Sequence, residues 1–353
     1  MKRFYVLEQG CYIRKNGYVL QIWQGDKVID EVSLERLEQL TIVGRASLSG
    51  AVLDELVRRR IETVLLTPEG RFRARIVVDE HKHVERRMRQ YLMLSDPLVS
   101  GELASAIVES KLKSYGQILI RRSWKNNLPI LRKKGLQLKS LASIASRERN
   151  IDMLRGIEGM GSKLYFDCFK HLITSRDFFF EGRNRRPPLD PVNAMLSFVY
   201  TLLTNEVLTA VQSVGLDPYL GALHAVEYGR PSLACDLVEE WRCFMGDRLV
   251  LTFINKQIVR PDDFIYRAEV SHGEGSEKGK DDIFRPVEMK PKVMRAFIES
   301  YERWMAQSIV NPFTGEHQSY RALIYNQAQR LLKWFLGKEE RFEGFPWDKI
   351  LRG

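Results

Sequence analysis

Between Asn193 and Val211 the chain is apolar on almost every side of a helix, with Ala194, Met195, Leu196, Phe198, Val199, Leu202, Leu203, Val207, Leu208, Ala210 and Val211 in one run. A helix with no polar face has nothing to offer water, so it belongs at the centre of a domain. The chain has 353 residues, enough for two domains with a core each. No apolar run approaches the roughly 20 residues needed to span a bilayer. The N-terminus turns polar by Glu8, Gln9 and Gly10, so no signal-peptide core follows Lys2 and Arg3. The expected location is the cytoplasm, with no membrane partner. Four scattered cysteines, without a C-x-x-C pair, read as small core residues in a reducing compartment.

Upstream the periodicity is that of strands. Cys11–Ile13 and Tyr18–Trp23 flank Lys15-Asn16-Gly17, a hairpin signal because Asn-Gly tolerates positive φ. Further strands are predicted at 4–7, 27–32, 37–43, 62–66 and 71–78, with one helix over Ser49–Arg60. In the strand at 71–78 arginines alternate with apolar residues, which predicts one buried and one basic face. From Val84 onward the pattern is helical: 84–94, 98–122, about 136–145, 292–308 and 320–336. The polar, Gly-rich stretch 271–282 reads as a loop or hairpin. The expected fold is therefore α+β and multidomain: an N-terminal β-sandwich-like, β-rich domain over 1–80, suited to dimerisation, a linker and first helix over 81–97, and a larger all-α catalytic domain over 98–353.

The net charge of +10 is concentrated: residues 110–150 hold eleven Lys or Arg against the single acid Glu148, which accounts for all of it. Basicity of that kind suits a polyanion such as nucleic acid through counterion release, although a solvated helix face reads the same way.

Among six histidines only His224 lies near both a tight turn, Gly229-Arg230-Pro231, and a run of acids, Asp236, Glu239 and Glu240. Asp236 shares a helix face with Glu239 and with Glu240. The bland alternatives are a buried histidine and an exposed acidic face paired with Arg242. Two carboxylates and an imidazole make a hard site, suited to Mg²⁺ or Mn²⁺ more than to Zn²⁺. Such an ion stabilises charge on phosphoryl oxygens and activates an attacking hydroxyl. A carboxylate from elsewhere is needed. Glu206, in the apolar helix, and Glu158, among Gly156, Gly159 and Gly161, are rivals that pattern alone does not separate.

Five blocks in order carry a resemblance. They are Arg155-Gly156-Ile157-Glu158-Gly159 with Tyr165-Phe166, Arg185 to Ala194, Asn205-Glu206-Val207-Leu208, Gly215 to His224, and Gly229 to Arg242. With the β-first layout and the run Arg321, Gln327-Ala328 and Leu331, the whole chain resembles the CRISPR-associated adaptation integrase and endonuclease family, "Cas one". The resemblance implies metal ligands at Glu158, His224 and Glu239, with Asp236 supporting the site as a catalytic residue and Glu206 not a ligand. It also implies a phosphate-side Arg230. Cys235 and Cys243 are departures that leave the site intact. Further DNA contacts are expected from Arg121, Arg122, Lys133, Arg155, Lys163, Arg183, Arg185 and Arg186.

The implied function is a metal-dependent DNA endonuclease and integrase of CRISPR adaptation. It inserts spacer fragments of double-stranded DNA into the CRISPR repeat by 3′-hydroxyl transesterification. The implied assembly is a homodimer that joins the partner protein "Cas two" in a heterohexamer. Two other readings share these residues: a stand-alone metal nuclease acting in repair or on branched DNA, and a non-catalytic DNA-binding scaffold.

Overall fold

The computed structural model describes residues 2–76, 78, 83–184, 187–268 and 286–350. The chain divides into two compact units, residues 1–81 and 82–353.

The first unit follows the strand and hairpin signals. In order it holds β1 (Lys2–Val6), β2 (Cys11–Asn16), β3 (Val19–Gln24), β4 (Lys27–Ser33), β5 (Leu37–Val43), β6 (Ala46–Leu48), α1 (Gly50–Arg58), β7 (Glu62–Leu66) and β8 (Phe72–Ile76). Two four-stranded sheets result, in the orders β1-β5-β7-β8 and β4-β3-β2-β6. The β2–β3 turn works because Gly17 sits at φ +58°, where a side chain would be strained. Strand alternation sends Ile13, Leu20 and Ile22 from one sheet, and Val6, Leu40 and Ile42 from the other, into one core that Val52 and Leu56 of α1 complete. β8 departs from expectation. Phe72 is half exposed, while the Arg75 side chain is buried against Glu62 at 2.6 Å. An edge strand has one neighbour and little to cover its faces, and the ion pair decides which arginine turns inward.

The second unit is mostly helical. It runs through α2 (Val84–Leu94), α3 (Pro97–Asn126), α4 (Pro129–Ala145), α5 (Ile151–Phe169), α6 (Pro191–Ser213), α7 (Ser232–Trp241), α8 (Arg248–Asn255), β9 (Phe264–Tyr266), β10 (Val287–Met289), α9 (Pro291–Ala306), β11 (Ser308–Val310), β12 (His317–Ser319) and α10 (Tyr320–Phe335). The pairs β9–β10 and β11–β12 add two small antiparallel ladders to a unit expected to be wholly helical. α4 starts at Pro129, seven residues before the expected helix, because Asn127 ends α3 at φ +50° and proline suits the first helical turn. The expected loop over 271–282 lies outside the described residues.

α6 is the axis of this unit, buried from Pro191 to Val211 on nearly all sides. Length and composition alone would let it cross a membrane, contrary to the expectation that no run comes close, but 78% of its most apolar window is buried inside the unit. Glu206 is buried there and meets Arg321 of α10, Nε to Oε1 3.1 Å, while Arg321 also holds Glu302 at 2.9 Å. That partner explains how a carboxylate survives in an apolar helix.

Candidate metal centre

Three elements bring the acids together. α5 carries Glu158, α7 carries Asp236, Glu239 and Glu240, and the loop between α6 and α7 carries His224. The acids of α7 do not form an exposed face as the bland reading holds: all three are buried.

Asp236 is fully buried and takes the backbone N–H groups of Ala222 (2.6 Å), Leu223 (3.0 Å) and His224 (2.9 Å). It also lies 2.7 Å from His224 Nδ1. An ionised carboxylate can only accept, so Nδ1 carries the proton between them, and in the neutral imidazole Nε2 then has its lone pair for a ligand. Asp236 therefore ties the loop to the helix and sets the histidine tautomer. Nothing larger than glycine fits at 221, where a Cβ would come within 2.5 Å of Asp236 Oδ2 and 2.8 Å of the Leu233 nitrogen.

Two further side chains brace the loop. Gln90 of α2, fully buried, donates to the carbonyls of Asp217 (2.8 Å) and Leu220 (2.9 Å) and accepts from the Asp217 N–H (2.8 Å). Arg155 of α5 donates from Nε to the Leu223 carbonyl at 2.7 Å and pairs with Asp152 at 2.9 Å. α2 is the first helix expected over 81–97, and Arg155 is among the residues expected to meet DNA. Neither the buried glutamine nor the arginine's backbone contact leaves a periodic signal.

At the centre stands a residue of the basic 110–150 segment. Lys111 of α3 is 2% exposed, and its ammonium bonds Glu158 Oε1 and lies 2.6 Å from Glu239 Oε2. Ser162 donates to the same Glu158 oxygen at 2.8 Å. Arg242 bonds Glu239 Oε1 from one turn further along. Burial would push the Glu239 carboxyl up, but Arg242, Lys111 and nearby His224 overcome it and hold it at about 2. Burial likewise opposes ionisation of Glu158, and Lys111 with Ser162 outweighs it, so its carboxyl lies below the usual range. Both acids are carboxylates at neutral pH.

Among the described residues no three His, Cys, Asp or Glu side chains already close around one point. The donor set nevertheless fits a hard divalent cation. Two carboxylates already converge on a positive charge, that of Lys111. Glu239 Oε2 is buried, and its close neighbour is that same Lys111 ammonium, at 2.6 Å. The imidazole nearby has Nε2 spare.

Beneath lies a rigid floor. Tyr115 and Tyr165 stack at 3.8 Å, and Tyr165 and Tyr200 donate to Asp247 at 2.9 and 2.6 Å. Asp247 ends a π-helical stretch, Arg242–Asp247, that follows α7 directly. Burial pushes its carboxyl up to about 6 against those two hydrogen bonds. Glu240, next to Glu239, faces away from the site. Gln327 of α10 donates to its Oε2 at 3.1 Å, and the Phe345 N–H bonds the same oxygen. Burial raises the Glu240 carboxyl to about 7.

The expected phosphate contacts separate. Arg121, Lys133 and Lys163 are exposed and Arg122 is half-buried. Arg132 lies 5.2 Å over the ring of Trp124, itself 70% exposed. Arg230 sits at the turn beside the site, 3.0 Å from Glu227. Arg183 is engaged within the chain. Its guanidinium donates to Asn193 Oδ1 (2.7 Å) and Ser197 Oγ (3.1 Å) and covers the Tyr200 ring, so it holds the N-terminus of α6. Arg185 and Arg186 lie outside the described residues. In α5, a Cβ at Gly156 or Gly159 would meet nothing within 4 Å, whereas one at Gly161 would lie 2.1 Å from Leu112. Of the three glycines, two therefore leave an open strip beside Glu158 and the third lets α5 pack on α3.

Comparison with known proteins bears on this geometry. A family model described as CRISPR associated protein Cas1 matches residues 4–289. "CRISPR-associated endonuclease Cas1 3" of Thermus thermophilus is 33% identical over 347 residues, covering 97% of this chain and 96% of that one. "CRISPR-associated endonuclease Cas1 1" of Chlorobaculum tepidum is 32% identical and covers 98% of both chains. Among solved structures, a casposase bound to integration product shares the fold with a TM-score of 0.80 at 21% identity, over 98% of this chain and 93% of that one. A Cas1 protein from Thermotoga maritima superposes with a TM-score of 0.78 at 22% identity, over 96% of this chain and 98% of that one.

Proposed function

Since the chain belongs to the CRISPR-associated Cas1 family, we propose that it is a metal-dependent DNA endonuclease and integrase that inserts spacer DNA into a CRISPR array. The observation that carries this reading is the convergence of Glu158 and Glu239 on one cation, next to a histidine whose tautomer Asp236 sets.

Glu158, Glu239 and His224 Nε2 would hold Mg²⁺ or Mn²⁺. When bound there, the ion supplies charge stabilisation at a phosphoryl oxygen and lowers the pKa of an attacking 3′-hydroxyl. The chain's own residues do the rest. Asp236 fixes the imidazole through Nδ1 and keeps the loop closed on the helix. Arg155 and Gln90 stop that loop from drifting, which matters because small misplacements at a reacting centre cost large factors in rate. Arg230 would meet a non-bridging phosphate oxygen. The open strip at Gly156 and Gly159 would admit the DNA backbone, with Lys163 beside it and the exposed cations of α3 and α4 carrying the flanking phosphates.

The N-terminal unit serves as the dimerisation module in this reading, and a Cas2 protein completes a heterohexamer in the cytoplasm. The test combines the chain, Cas2, a duplex fragment with free 3′-ends and a supercoiled plasmid bearing the array. Fragment joined to plasmid at the repeat supports integration. Cleavage without joining favours a stand-alone nuclease. Full strand transfer by alanine variants of Glu158, His224 or Glu239 with Mn²⁺ present would sink the site assignment.

A further inference from the structure

Lys111 stands where no cation would be expected from α3 alone. It lies in the row Leu103, Ile107, Lys111, Tyr115 and Leu119, spaced four apart, and the other four are buried apolar or aromatic side chains. A lysine in such a row loses its hydration and must be compensated by opposite charge. Its partners are Glu158 and Glu239, two of the three proposed ligands.

Charge balance shows what that placement does. Glu158, Glu239 and Asp236 contribute three negative charges, and Lys111 and Arg242 two positive ones, so the cluster carries −1. A divalent ion brings it to +1, and the phosphodiester monoanion then brings it to zero. Without Lys111 the loaded cluster would be neutral and would become negative on taking up the same phosphate. The ammonium and a divalent ion also need the same carboxylate oxygens.

We propose that Lys111 is the resident counter-cation of the metal centre. Its ammonium bridges Glu158 and Glu239 in the metal-free chain and gives up that position when a divalent ion arrives. It remains beside the ion as a fixed positive charge for the phosphate. Lys111 thus weakens metal binding while favouring phosphate binding. The proposal rests on the reading of Glu158, His224 and Glu239 as ligands.

Mn²⁺ binding to the purified full chain, followed by the EPR signal of free Mn²⁺, tests it. Lys111→Met and Lys111→Gln should bind Mn²⁺ at least about tenfold more tightly than the unaltered chain, because a like charge and a competitor are both removed. Lys111→Arg keeps the charge and should stay within a few-fold. In chelator, Lys111→Met should unfold at lower temperature, because two carboxylates then face each other, and Mn²⁺ should reverse that loss. Unchanged or weaker Mn²⁺ binding by the Met and Gln variants overturns the proposal. If those variants fail to fold in chelator, refolding with Mn²⁺ must rescue them, and failure to rescue also overturns it. Glu158→Ala separates the two levels. If the unaltered chain binds Mn²⁺ and Glu158→Ala does not, equal affinity at Lys111→Met removes only the counter-cation. If the unaltered chain binds no Mn²⁺, the ligand assignment falls with it.

Discussion

Glu239 and Glu240 are neighbours in one helix, both buried, and they live in opposite electrostatic worlds. Glu239 faces Lys111, Arg242 and His224, which hold its carboxyl at about 2. At Glu240 the pull of Arg330 is too weak to offset burial. Glu240 faces an amide side chain and a backbone N–H, and burial lifts it to about 7. Depth is the same for both, so depth does not set their chemistry. Partner charge does. One acid is kept ionised, and the other serves as an anchor for the segment that follows α10, where Trp347 Nε1 also donates to the Glu240 carbonyl at 2.6 Å.

The strongest way to break this contrast is catalytic. Glu239→Gln should lower strand transfer by roughly three orders of magnitude, the equivalent of ~4 kcal/mol of transition-state stabilisation. Glu240→Gln should stay within about threefold. Quantifying joined product on gels for both variants decides it, and equal losses would mean that the two carboxylates share one role.

Next in size, Asp236→Asn should cost about 10- to 100-fold in Mn²⁺ affinity, since the imidazole loses its charged hydrogen-bond partner. Calorimetric titration measures this. Unaltered affinity would show that His224 needs no such support.

Stability against pH sharpens the contrast through sign. The Glu239 carboxyl is lower in the folded chain, so its contribution is present above about 4.5 and is lost as pH falls toward 2. The Glu240 carboxyl is higher in the folded chain, so folding favours its protonated form. Its contribution is full below about 4.5 and disappears as pH rises through 7. Relative to the unaltered chain, Glu240→Gln should therefore gain roughly 2–3 kcal/mol between pH 5 and pH 8 in urea unfolding. A gain in the opposite direction would reverse the assignment of burial as the dominant influence.

The smallest effect concerns α5. Gly159→Ala should stabilise by up to ~1 kcal/mol, because its Cβ meets open space in a helix, whereas Gly161→Ala should destabilise by ~1–3 kcal/mol against Leu112. Thermal melts of the two variants compare them. If the Gly156–Gly159 strip takes a DNA backbone, Gly159→Ala will also weaken DNA binding while raising the melting temperature.

Much of this layout was legible before any coordinates. Strand alternation and the Asn16-Gly17 turn marked the first unit, and the all-round apolar run marked α6 as its unit's axis. His224 and the acids of α7 stood out by spacing across a turn. What stayed hidden depends on which of two equal chemistries a neighbour selects. Phe72 and Arg75 alternate as β residues should, yet the partner Glu62 turns the arginine inward. Lys111 was hidden by its basic neighbours, although a charged residue within a row of buried apolar ones four apart was the signal that could have found it. Arg183 is a third case, because nothing local in sequence announces Asn193 and Ser197 as its acceptors.

The π-helical turn after α7 has a further consequence, for chain length. Its wider pitch absorbs an extra residue between Arg242, which reaches back to Glu239, and α8, whose Leu249, Val250, Phe253 and Ile254 are buried. Were the same residues wound as ordinary α-helix, the extra one would no longer be absorbed and all of α8 would rotate by about 100°. Its apolar stripe would then face water, and Asp247 would leave Tyr165 and Tyr200. Most substitutions in this stretch change one side chain, but a further inserted residue, with no second wide turn to absorb it, would change the phase of everything downstream. Residues 242–247 form a counted spacer, in which number matters as much as identity.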